Sequence, residues 1–92
     1  MEIEQIDNGD KGIFQAKEGE VIAGKMVYTW FGPNKLIIDH TEVNPDFAGK
    51  GVGKKLLLEL VKFAREKKIK VVPYCPFAKS VFDKTEDIRD VL

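Results

Sequence analysis

The sequence predicts an α+β fold: a mixed, mostly antiparallel sheet with one parallel β-α-β unit, one main helix and short C-terminal helices. Three observations carry that expectation. Before residue 44 the strand-like runs are separated by tight turn signals, Asn8-Gly9-Asp10, Glu18-Gly19-Glu20 and Gly32-Pro33-Asn34, and links that short favour an antiparallel meander of four strands. Leu56, Leu57, Leu60, Val61 and Ala64 then recur at helical spacing. That helix alone separates the run 35–43 from a second apolar run at 69–74, and such a β-α-β unit is parallel and right-handed.

Taken in order, residues 2–7 alternate loosely between charged and apolar side chains, and 12–17 hold Ile13 and Phe14. The run 21–31 is rich in β-branched and aromatic residues, and Gly24 within it marks a bend or bulge. Its Tyr28, Trp30 and Phe31 form an aromatic cluster whose first expectation is core packing and whose second is an acceptor pocket. Strict alternation over 35–43 places Leu36, Ile38, His40 and Glu42 on one face and Ile37, Asp39, Thr41 and Val43 on the other. Both faces mix apolar and polar residues, as in a strand whose end lines a site. Asn44-Pro45-Asp46 ends the strand, because proline brings no N–H to a ladder. The helix is expected from Gly51 to Lys68, with Arg65, Lys67 and Lys68 at the negative end of its dipole and Leu58 off the apolar stripe. A short helix at 77–83 and another over 86–92, with Thr85 as candidate N-cap, complete the chain.

Ninety-two residues, 43% of them apolar, fit one domain spanning 1–92. Fifteen basic and fifteen acidic residues balance, which argues against general attraction to nucleic acid or acidic membranes. The balance is uneven along the chain: nine acids and four bases precede Phe47, and eleven bases and six acids follow from it. A single cysteine, Cys75, forms no intrachain disulfide, and no zinc-type spacing occurs, so neither a disulfide framework nor a metal is expected. The start of the chain lacks the pattern of a signal peptide, and no apolar run reaches the roughly 18 residues of a membrane span, so the expected location is the cytoplasm.

The most informative stretch is Ala48-Gly49-Lys50-Gly51-Val52-Gly53-Lys54, a glycine loop between strand and helix. Backbone N–H groups at a helix start are unpaired and favour anions. No Ser, Thr, Asp or Asn lies between Phe47 and Leu58 to cap them. Two nucleotide motifs fail here. A P-loop needs Gly five places before Gly53 and a hydroxyl after Lys54, where Ala48 and Lys55 stand. A dinucleotide fingerprint begun at Gly49 meets Lys54 at its third glycine, and one begun at Gly51 meets Leu56.

With Val43-Asn44-Pro45-Asp46 before it, the loop resembles the GNAT superfamily of acyl-CoA-dependent N-acetyltransferases. Their signature is Gln or Arg, two residues, Gly, one residue, then Gly or Ala, opening a helix after a strand that ends in a Val-x-Pro-like segment. Ala48 stands where the family usually has Gln or Arg, while Gly51 and Gly53 keep the backbone requirement. His40-Thr41-Glu42-Val43, the short length and Cys75 after the next strand are similar to a minimal branch that lacks the two helices between the first strands of larger relatives. The resemblance implies a GNAT-like sheet over nearly the whole chain. It implies acetyl-CoA or coenzyme A as co-substrate, held by Val43 and by Gly49, Lys50, Gly51, Val52, Gly53 and Lys54, with the strand before the loop pairing with the pantetheine arm.

Transfer to an amine needs a base for the nucleophile and a proton for the departing thiolate. His40, the one histidine, suits proton removal near neutrality, with Glu42 on the same face to hold or supplement it. A hydrogen-bonded structural histidine is the alternative. Cys75 has three chemical roles open to it: protonating the leaving thiolate, accepting the acyl group, or joining coenzyme A in a mixed disulfide. A small buried residue is the fourth reading. Phe77, Ala78 and Lys79 are candidates to border the cofactor's arm, and no tyrosine follows Tyr74 to serve as the acid that many family members place in the next helix. The expected function is acetyl-CoA-dependent N-acetyl transfer to an amine of a small molecule or protein. A non-catalytic module that binds or senses acyl-CoA is the alternative. The expected partners are acetyl-CoA and an amine acceptor, with no nucleic acid or membrane, and the expected state is a monomer or weak dimer.

Overall fold

The computed structural model describes residues 1–92. Five strands form one sheet in the order β1 (Glu2–Asp7), β2 (Lys11–Glu18), β3 (Val21–Trp30), β4 (Lys35–Val43) and β5 (Lys70–Pro73). The first four make an antiparallel meander, and β5 pairs parallel with β4 from Lys35↔Lys70 to Ile38↔Pro73. Helix α1 (Val52–Lys67) crosses between those two strands, α2 (Pro76–Lys84) follows β5, and a 3₁₀ segment, Glu86–Val91, closes the chain. The α+β architecture is the expected one. Element ends differ by a residue or so, because Gly51 and Lys68, expected inside α1, are its left-handed caps.

One core of 20 buried residues joins one sheet face to every helical segment. Leu56, Leu57, Leu60, Val61 and Ala64 form the α1 stripe as their spacing requires, and Leu58 lies on the exposed side. Phe82 of α2 and Ile88 and Val91 of the last segment complete the same layer. The opposite sheet face, with Ile13, Val27 and Ile37, carries no covering element. No helix is long and apolar enough to cross a membrane.

Asp7 is the polar hub of the meander. Its Oδ2 accepts from the Tyr28 hydroxyl at 2.5 Å and the Trp30 indole N–H at 2.8 Å, and its Oδ1 accepts from Gly9 N at 2.7 Å. The Tyr28 oxygen also accepts from the Gln5 amide at 2.8 Å, so a fully buried tyrosine leaves no polar atom unpaired. Tyr28 and Trp30 then pack in the core around Phe14 and Phe63, while Phe31, expected with them, is exposed.

The C-terminal segment is tied to α1 by Arg65. Its Nε and one terminal nitrogen donate to the two Asp90 oxygens at 3.0 and 2.7 Å, and the same terminal nitrogen reaches Asp87 O at 2.7 Å. The hydrogen bond from Arg65 holds the Asp90 carboxyl below its ordinary range. Thr85 sits at the start of the segment but makes no capping hydrogen bond, so side chains tether it: Arg65 to α1, and Arg89 to α2 through Phe82 O at 2.8 Å and Asp83 O at 2.5 Å. Arg65→Ala is therefore expected to speed amide exchange across residues 86–91 while leaving exchange in the sheet unchanged, as read by hydrogen–deuterium exchange.

Candidate cofactor and active site

Strand β4 runs through a 3₁₀ turn, Pro45–Phe47, into the glycine loop. Asn44 fixes the corner: its Oδ1 accepts from Asp46 N at 2.9 Å and its side-chain amide donates to Ile22 O at 3.2 Å. Gly49 and Gly51 take φ of +79° and +71°, values that side-chain-bearing residues adopt at a cost. Gly51 is the N-cap of α1 and no side chain bonds the first turn. The earliest helical bond runs from Lys55 N to Gly51 O at 3.0 Å, which leaves the N–H groups of Val52, Gly53 and Lys54 ahead of it.

These donors open on a cleft of about 330 Å³ lined by Val43, Phe47, the loop from Ala48, Lys54 and Phe77. A Cβ added at Gly49 or Gly51 would meet no protein atom within 4 Å, so the approach to the loop is open. Lys54 borders the cleft, whereas Lys50 lies with its Nζ 5.2 Å from the centroid of the Phe47 ring.

The cleft meets β4 at Val43, the end of a strand whose last residues have an open edge. Pairing with β5 ends at Ile38↔Pro73, and Cys75 N donates to Ile38 O at 3.0 Å to close the gap between the strands. Beyond that point residues 39–43 have a strand on one side only. Asn44 N bonds Ala23 O at 2.8 Å, and antiparallel alternation then turns the backbone groups of Glu42 and His40 towards β3. The backbone groups of Thr41 and Val43 face the open side.

One irregularity rearranges the side chains. Val27 pairs with His40 but Tyr28 pairs with Ile38, so Asp39 is an extra residue, a β-bulge in β4. A one-residue slip moves every later side chain to the other face. Leu36 and Ile38 lie in the core with Tyr28, whereas His40 and Glu42, opposite Val27 and Lys25, lie on the uncovered face. This corrects the alternation expected above, which put all four on one face. Asp39 is also not opposed to His40, since its Oδ2 accepts at 2.5 Å from Thr29, which pairs with Ile37 on the uncovered face. A second bulge leaves Ala23 unpaired in β3, beside the Gly24 expected to mark it.

The structure brings His40 and Glu42 together, with Nε2 to Oε1 at 3.8 Å, and Glu42 in turn meets Lys25 Nζ at 3.6 Å. Both members of the first pair are well exposed, at 53% and 62%. Cys75 lies apart from them: it is 4% exposed, on the core side, at the N-cap of α2. Its polar neighbour is Thr41, whose Oγ1 is 3.5 Å from the Cys75 sulfur. Strict alternation puts Thr41 on the face opposite Ile38, and the Asp39 bulge returns it to the core face beside the thiol. Phe77 borders the cleft, Ala78 is buried and Lys79 pairs with Asp83 at 3.3 Å. No group of three or more His, Cys, Asp or Glu gathers in the structure.

A strand with a bulged, half-open edge leading into an uncapped glycine loop and helix defines a class of protein, and sequence comparison gives the class its family. The family model of GCN5-related N-acetyl-transferases matches residues 13–91, and the chain belongs to that family. A GCN5-like protein from Staphylococcus aureus, solved in solution, is 34% identical over 96% of this chain and 85% of its own, with a TM-score of 0.71. Nourseothricin acetyltransferase is 32% identical over 71% of this chain and 40% of its own, with a TM-score of 0.58. A ribosomal-protein-alanine N-acetyltransferase from Brucella melitensis biovar Abortus 2308 shares the fold, with a TM-score of 0.72 at 21% identity over 84% of this chain and 62% of its own. This chain thus spans less than two thirds of the latter two proteins. No curated protein sequence matches it.

Proposed function

We propose that the chain acts as a single acetyl-CoA-dependent domain that transfers an acetyl group to an amine of a small molecule or protein. The observation that carries this reading is the uncapped first turn of α1, whose residues line one cleft with Val43 at the end of β4's free edge. The donor set fits coenzyme A in both its parts. The N–H groups from Gly51 to Lys54 suit the pyrophosphate, with Lys50 and Lys54 adding charge, and the backbone groups of Thr41 and Val43 suit the amides of the pantetheine arm. Acetyl-CoA supplies an acetyl group already activated as a thioester.

The chain's own residues then divide the work across β4. His40, on the uncovered face, accepts the proton of the incoming amine, and Glu42 orients its imidazole. Cys75, buried on the core side where the strands close, returns a proton to the departing sulfur in this reading. Acceptance of the acetyl group by the Cys75 sulfur is the covalent alternative. That His40 and Cys75 lie on opposite faces of the sheet motivates the second reading, a module that binds acyl-CoA without turnover.

Release of coenzyme A, followed across a panel of amines and peptides at saturating acetyl-CoA, separates these readings. An enzyme shows amine-dependent release above hydrolysis. In that case His40→Ala is expected to lower turnover about 100-fold or more with cofactor affinity unchanged. Cys75→Ser is expected to slow the reaction, and unchanged acetylation in that variant removes the thiol from the mechanism. Tight binding with no release from any amine supports the binding module instead.

A further inference from the structure

We infer that the free edge of β1 takes up an extended, basic segment of another protein as a further strand of the sheet. β1 lies at the opposite end of the strand order from β5, so this surface is separate from the cofactor cleft. Asn8 N bonds Lys11 O at 3.0 Å, and antiparallel alternation then turns the backbone groups of Ile6, Glu4 and Glu2 towards β2. Those of Ile3, Gln5 and Asp7 face outwards with no strand to meet them. The register with β2 is unbroken from Glu2↔Lys17 to Asp7↔Gly12, and the strand holds no proline, lysine or bulge, the usual means of blunting an edge.

A hollow flanks this edge on each face of the sheet. On the helix side, Phe14 and the half-buried Ile3 and Phe63 line a cavity of about 190 Å³, rimmed by Glu59, Lys62 and Glu66 of α1. On the uncovered side, Ile6, Ile13 and Val27 line another of about 290 Å³. Side chains of a strand point alternately to the two faces, so an added strand offers every second residue to each hollow. Charge selects the occupant. β1 carries Glu2, Glu4 and Asp7 and no base, and Glu59 and Glu66, about two turns apart on α1, make no ion pair. A lysine or arginine over the inner hollow lays its stem along Ile3 and Phe63 and brings its charge to those two carboxylates. Apolar residues on the outer side extend the Ile6 patch. A second copy fits worse, because pairing edge to edge sets three more acids against these.

Capped peptides matched to the six residues of β1 test this, one alternating Lys and Val and one alternating Glu and Val. With isotope-labelled protein, the Lys-Val peptide is expected to shift amides of residues 2–7 and 59–66. It is also expected to slow exchange at the Ile3, Gln5 and Asp7 amides about tenfold or more at saturation. The Glu-Val peptide is expected to bind at least about tenfold more weakly, and Glu59→Gln with Glu66→Gln, two surface changes, to weaken the Lys-Val peptide about fivefold. A Lys-Val peptide with every amide N-methylated keeps its charge and loses its donors, and it is expected to leave those three amides unprotected. Equal binding of the basic and acidic peptides overturns the inference, as does undiminished binding of the methylated one or of the Lys-Val peptide to the double variant. So do shifts that gather elsewhere, or no binding of the Lys-Val peptide up to millimolar concentration. Protection of the three amides that rises with protein concentration alone assigns the edge to a second copy and overturns it too.

Discussion

Gly51→Val is expected to weaken coenzyme A binding about 100-fold, a loss of about 2.7 kcal/mol, while the sheet stays folded. Gly51 holds φ +71°, a region that costs a residue with a Cβ about 1–2 kcal/mol and a β-branched one the most. The chain can relieve that strain only by turning the loop, and this re-aims the N–H groups of Val52, Gly53 and Lys54. The added side chain meets no protein atom at its Cβ, so it projects into the approach taken by the anion. Packing is untouched, and the melting temperature is expected to fall by about 5–10 °C from strain alone. Calorimetric titration together with thermal unfolding separates the two effects. Binding within about threefold of wild type in a folded Gly51→Val protein shows that the loop amides do not carry the cofactor.

Asp7→Ala is expected to cost about 1–2 kcal/mol of stability and to flatten the acid limb of the stability profile. Burial pushes the Asp7 carboxyl up, but the hydrogen bonds from Tyr28, Gly9 and Trp30 outweigh it and leave the group below its ordinary value. A carboxylate with a lowered folded value contributes stability above the unfolded value, about 4, and loses that contribution as pH falls through the folded one. Tyr28 runs the other way. Burial first, then the Asp7 hydrogen bond, raises its hydroxyl, so its contribution is full below about pH 10 and is lost as pH rises through the folded value. Urea unfolding at pH 3, 6 and 10 is the check. The wild type is expected to lose stability at both ends, and Asp7→Ala to lose less between pH 6 and 3. Equal acid sensitivity in the two proteins places the titrating group elsewhere.

Much of this fold is legible because local rules alone decide its turns and its main helix. Each turn among Asn8-Gly9, Gly19 and Gly32-Pro33 has a residue whose backbone freedom or rigidity breaks a strand, and each of those glycines takes a positive φ. The α1 stripe needs only the helical period. The loop could be read because a run of residues without capping side chains is itself a statement about unpaired donors.

The site was legible only as far as its backbone. His40 and Glu42 stay together because both follow the Asp39 bulge, but strict alternation misses their face because a bulge belongs to the pairing of β4 with β3, not to either strand. Thr41 gained its place beside Cys75 by the same slip. Asp7 ends the loosely alternating run 2–7, and its bonds to Tyr28 and Trp30 exist only once β1, β2 and β3 fall into register. Phe31 follows Trp30 in sequence but begins the turn, and there the core ends.

The central claim is that acyl-CoA is held by the backbone of the glycine loop and the open edge of β4. Titrating the isotope-labelled protein with coenzyme A and acetyl-CoA, and following every backbone amide, tests it most directly. Saturable shifts that are largest at Thr41, Val43 and residues 49–54 are the predicted result. Amides in that region that stay unmoved to millimolar cofactor, or shifts that gather elsewhere on the molecule, would contradict it.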